Sequence, residues 1–211
     1  MKRLEIIFVI IILITLFSCE PPVTFTEPQP SNTKSLTKFP KRIFGTYKNL
    51  SDSSLLTINE KSIIRVYDFD FKQSLKDIDS KIVISGDSAI DTKTNEKVYI
   101  TIVGDSIIEH FHMVDTMFSI DKSGILKKFK GYYFINIPYD VNSWRVQKIQ
   151  LSKGILTLSS VEHATEIKEL QQITESVSDT ISYNFKITKR QFKTFIKNDG
   201  FRSSEFFVKM K

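Results

Sequence analysis

The stretch IVISGDSAI, residues 82–90, returns eighteen positions later as ITIVGDSII, residues 100–108. In each copy a β-branched run halts at Gly-Asp-Ser and a second apolar run begins at once. Glycine at the first central position is what a two-residue type II′ hairpin requires, because the backbone there has φ > 0. With Gly86-Asp87 and Gly104-Asp105 as the loops, Ser85 falls opposite Ser88, Ile84 opposite Ala89, Val103 opposite Ser106 and Ile102 opposite Ile107. Apolar then meets apolar across each hairpin, which is how antiparallel strands stabilise one another.

The same rhythm extends along the chain in both directions. Ile, Val, Phe and Tyr recur at period two, which predicts strands at 44–48, 55–59, 62–72, 81–85, 97–103, 106–115, 124–130, 132–137, 143–151, 155–161 and 180–187. Two segments break it. Ala164 to Ser176 places Ile167, Leu170 and Ile173 at helical spacing, and Thr188 with Gln191 has the form of a capping box ahead of Phe192, Phe195 and Ile196. Gly200 should stop that helix, and Glu205 to Met210 should form a last strand. The expected fold is mainly β, an antiparallel meander forming a barrel or sandwich, with one or two short helices near the C-terminus. Gly45-x-Tyr47 at the start of the meander resembles the opening of lipocalins, although their customary tryptophan is missing. That resemblance implies a small lipocalin-like barrel whose interior is either filled or holds one apolar ligand.

Gly-Asp-Ser also resembles the nucleophile motif of the Gly-Asp-Ser-Leu hydrolases, which raises Ser88 and Ser106 as candidates. In that family the serine leads into a helix, and a later Asp-x-x-His supplies the base. Here strand follows each serine, and none of the three histidines, His110, His112 and His163, stands in such a motif. A serine without a positioned base stays protonated and weak. No catalytic residue is therefore assigned, and the hairpins are the better account of both copies.

Glu109-His110-Phe111-His112-Met113 holds the remaining chemistry. His110 and His112 share one strand face and are candidate metal ligands, with Asp115 and His163 the nearest further ligands by type. Glu109, Phe111 and Met113 share the opposite face. Turned inward, they would form a ligand-binding set, with the Glu109 carboxyl raised by apolar surroundings unless paired. The alternative is that Ile108, His110, His112 and Val114 face the core. Tyr67-Asp68-Phe69-Asp70-Phe71 alternates in the same way, and is expected to be amphipathic with its acids in water.

The N-terminus supplies an address. Lys2 and Arg3 precede an apolar run from Ile6 to Leu16, too short for a membrane span and laid out as a secretory signal. Leu16-Phe17-Ser18-Cys19 resembles the lipobox of bacterial lipoproteins, with Phe17 larger than is usual. The resemblance implies removal of residues 1–18 and lipidation of Cys19, hence a membrane-anchored protein of the bacterial cell envelope. Glu20 rather than Asp at the second mature position implies the outer membrane where there is one. Cys19 is the only cysteine, so no disulfide competes for it.

Residues 19–42 hold five of the six prolines, and are expected to form the lipidated start and an extended tether ahead of one β-rich domain, residues 43–211. A net charge of +6 favours anionic envelope surfaces, and export disfavours nucleic acid as a partner. The expected function is a non-enzymatic binding or accessory lipoprotein, without a cofactor beyond its own lipid, that takes an apolar ligand or an envelope protein. The alternative is a metal-dependent or hydrolytic envelope enzyme using Glu109, His110 and His112.

Overall fold

The computed structural model describes residues 23–175 and 183–210. The expected signal segment, Cys19 and the start of the strand expected at 180–187 lie outside the described residues. Among the described residues fifteen strands, in antiparallel pairs save for one parallel pair, form a curled sheet with two short helices near its C-terminal end. Along the sheet the order is β2 (Ser35–Leu36), β10 (Ile125–Phe129), β11 (Tyr132–Asp140), β12 (Ser143–Ser152), β13 (Ile155–Ser160), β15 (Ser203–Lys209), β3 (Gly45–Asn49), β4 (Leu55–Ile58), β5 (Ser62–Ser74), β9 (Ser106–Ser119), β8 (Lys97–Val103), β7 (Ser88–Asp91) and β6 (Ile82–Ser85). The last strand, β15, therefore lies between the two runs of the meander. β1 (Thr24–Phe25) pairs antiparallel with β12 and parallel with β14 (Asn184–Phe185). The sheet curls but does not close into a ring, because β2 and β6 end it.

Strand period places a core on each face of β11. Tyr133 and Ile135 point into the curl, where Tyr47, Leu56, Ile58, Ile63, Phe118, Leu126, Ile149, Leu156 and Phe207 fill the interior. Phe134 points the other way. There α1 (Ala164–Thr174) and α2 (Lys189–Lys197) cover the sheet through Ile167, Leu170, Phe192 and Phe195, joined by Phe25, Val146 and Phe201. Phe134 meets Phe192 edge-on with ring centroids 5.2 Å apart.

Both helices begin on side-chain caps. In α1 the Glu166 carboxylate accepts the His163 amide at 2.8 Å, and in α2 the Thr188 hydroxyl accepts the Gln191 amide while Gln191 Oε1 accepts the Thr188 amide. The stop at Gly200 works differently from expectation. Asp199 takes the left-handed position, with φ of 59°, while a Cβ on Gly200 would lie 2.4 Å from the Phe195 ring. Its missing side chain serves close packing.

Residues 23–42 are not a tether. Val23, Phe25 and Phe39 are buried, and the peptide around Gln29 is built into the sheet face. Asn136 Oδ1 accepts the Gln29 amide, and Asn136 Nδ2 donates to the Gln29 carbonyl at 3.0 Å. Lys127 Nζ donates to the carbonyls of Pro28 and Pro30 at 2.7 and 2.8 Å, and its burial lowers its pKa. Proline has no N–H to satisfy, so a Pro-rich strand of chain can be buried once its carbonyls find donors. The domain thus begins by Val23.

The two Gly-Asp loops turn as expected. Gly86 and Gly104 have φ of 62° and 58°, and the four predicted cross-strand pairs all form. Open space surrounds both glycines, so a side chain there meets strain and no clash. Gly86→Val or Gly104→Val should each cost about 1–2 kcal/mol in urea unfolding, whereas Ser106→Ala should change stability by under about 0.5 kcal/mol.

Candidate functional site

Beyond Val66, where β4 ends, β5 and β9 continue as a ribbon that leaves the body. Its outer end carries β6, β7 and β8 with a small core of Ala89, Ile100 and Ile107. Between body and tip lies a neck of two strands, around 67–71 and 110–114, with no third strand over most of its length among the described residues. Of the residues that sequence reasoning singled out, Glu109, His110, Phe111, His112 and Met113 fall on this neck or at its edge.

Cross-strand register sorts them. Asp68 pairs with His112 and Asp70 with His110 on one face; Tyr67 pairs with Met113, Phe69 with Phe111 and Phe71 with Glu109 on the other. Neither face is a core. Phe69, Phe71, Phe111 and Met113 are 49, 55, 37 and 43% exposed, so Glu109, Phe111 and Met113 line an open surface and not the interior of a barrel. Phe69 and Phe111 pack on each other, tilted by 33°, with centroids 4.8 Å apart.

On the polar face His110 Nδ1 lies 2.6 Å from Asp70 Oδ1 and Nε2 lies 3.1 Å from Thr101 Oγ1. His112 Nδ1 lies 3.6 Å from Asp68. Asp70, His110 and Thr101 have the order of an orienter, a base and a hydroxyl nucleophile. All three are exposed on the strand surface, where β8 pairs with β9 only as far as Glu109. No group of three or more His, Cys, Asp or Glu side chains is placed to hold a metal ion among the described residues. His163, expected as a further ligand by type, sits at the start of α1.

Charge divides the molecule along the same line. Residues 67–115 carry ten Asp or Glu against five Lys and no Arg, a net of −5, in a chain of net +6. The ribbon is therefore an acidic arm on a basic body.

Arg65 roots this arm, and sequence reasoning did not find it. The guanidinium, buried at the base of β5, donates to Asp52 at 2.8 Å, to Glu205 at 2.7 Å and to Ser54 at 2.9 Å. It lies 4.8 Å from the Tyr67 ring centroid and 5.5 Å from that of Phe207. It thereby ties the first residues of the neck to β15 and to the β3–β4 turn. Burial alone would raise the Asp52 carboxyl; hydrogen bonds from Ser54 and the charge of Arg65 outweigh it and hold the pKa below its usual value.

Compared with family models, curated proteins and solved structures, the chain matches none of them.

Arg65→Met should lower stability by about 1–3 kcal/mol, discounted because Asp52 and Glu205 are each 43% exposed. The Asp52 contribution is present above the carboxyl's unfolded pKa of about 3.9 and is lost as pH falls through its lower folded value. Urea unfolding at pH 6 and pH 2.5 should therefore show a smaller acid-induced loss in the variant than in the parent.

Proposed function

We propose that the chain is a membrane-anchored envelope lipoprotein whose body is a non-enzymatic binding module, with the ribbon as its docking element. The observation that carries this reading is the neck's uncovered aromatic face. A two-stranded ribbon with Phe69, Phe71, Phe111 and Met113 in water keeps a cluster of large apolar groups hydrated, and burying it against a partner stabilises the complex. The acidic surround fits a partner protein whose apolar contact patch is ringed by Lys and Arg, since complementary charge speeds encounter and fixes orientation. The Asp70-His110-Thr101 relay lies exposed on the strand surface, which supports docking over hydrolysis.

The Cys19 lipobox resemblance supports the anchor. Only three residues separate Cys19 from buried Val23, and four residues of extended chain reach at most ~14 Å. A lipidated Cys19 would hold the body against the lipid surface rather than at the end of a long stalk. Two or more acyl chains make such attachment stable where one does not.

Cys19→Ala should abolish labelling by radioactive palmitate and move the chain from the membrane to the soluble fraction; unchanged labelling and fractionation would overturn the anchor. For the ribbon, a photo-crosslinking residue in place of Phe71 should capture, in the native envelope, one protein with a basic contact surface. Capture should fall in high salt and disappear in Phe69→Ser/Phe111→Ser. Loss of the exposed ring pair should cost only about 1 kcal/mol of stability. Capture that ignores both salt and the ring substitutions counts against docking.

A further inference from the structure

Segment 37–44 forms a seam between β2, at one end of the sheet, and the β4–β5 turn, where the Phe39 amide donates to the Glu60 carbonyl at 2.8 Å. A cleft of about 360 Å³ opens there. Leu36, Phe39, Phe44 and Tyr133 supply its apolar surface, with Phe39 and Tyr133 continuous with the filled interior. Lys38, Lys41 and Lys128 stand around it.

The cations are arranged unusually for a solvated surface. Arg42 and Lys128 both lie over the Tyr133 ring, 5.4 and 5.8 Å from its centroid. Glu60 is committed to Lys38 at 3.0 Å, and no carboxylate forms an ion pair with Lys41, Arg42 or Lys128 among the described residues. Two like charges gathered on one ring beside a third repel each other, and an anion among them relieves that repulsion. The arginine fork suits a carboxylate or another planar acid.

We infer that the seam cleft binds a single-chain anionic amphiphile, with hydrocarbon against Leu36, Phe39 and Phe44 and the acidic head between Lys41 and Lys128, which line it, with Arg42 nearby at the Tyr133 ring. The simplest member of that class is a fatty acid. The cleft's volume is near the lower end of the ~300–1,000 Å³ of ligand pockets, which suits one chain and not a two-chain lipid. Burial of the chain supplies affinity, while the cationic rim selects an ionised head over an alcohol. The inference depends neither on lipidation of Cys19 nor on the ribbon.

Membrane-purified full-length chain in phosphatidylcholine nanodiscs provides the test, with a diazirine-bearing fatty acid as the probe. Irradiation should place the label on peptides containing residues 36–44 and 128–133. Decanoate should compete with it and 1-decanol should not. Lys41→Glu/Lys128→Glu should reduce labelling at least ten-fold without changing thermal unfolding, because both side chains are exposed. Arg42→Gln should give an intermediate loss. Equal competition by decanol, or labelling unaffected by the charge reversals, would overturn the site. So would seam labelling that arises only from a photoreactive two-chain phosphatidylglycerol in the nanodisc.

Discussion

Phe134 and Ile135 are neighbours in the chain, and both are wholly buried, on opposite faces of β11. An antiparallel strand usually has one wet face, so a strand dry on both must be covered twice. The curl of the sheet covers one side; two helices, β1 and the Gln29 peptide cover the other. Most of the architecture follows from that demand. Because both covers meet at β11, loss of either exposes large aromatic and aliphatic groups, each worth about 1.5–3 kcal/mol when buried.

Much of the fold was legible in the sequence because its signals are local. Gly86 and Gly104 occupy turns whose geometry only a residue tolerant of φ > 0 adopts easily, and the alternation on either side fixes register. Thr188 and Gln191 announce α2 by mutual hydrogen bonds three residues apart. Residues 23–42 were misjudged because the contacts that bury them are remote. Asn136 and Lys127 lie about a hundred residues from the peptide they hold, and nothing in the proline-rich stretch itself reports their existence.

The candidate site was legible as a location and not as an environment. Period two correctly divides Glu109, Phe111 and Met113 from His110 and His112, yet alternation implies that one face meets a core. On the neck no core follows, and the aromatic side stays in water. Strand pattern encodes which residues share a face; what covers that face is decided by the rest of the molecule. Arg65 was invisible for a related reason: its partners Asp52 and Glu205 come from a turn and from the last strand.

The position of β15 bears on how the chain is made. It joins β13 to β3, while β1 waits for β14 near the other end of the sequence. A chain that emerges N-terminus first can form its hairpins early, but cannot unite the sheet until residues 203–209 arrive. Long-range pairing of this kind slows folding, since the entropy of closing large loops must be overcome before contacts reward it. A keystone strand placed late, at residues 203–209, keeps the two halves of the sheet apart while the rest of the chain forms its local hairpins.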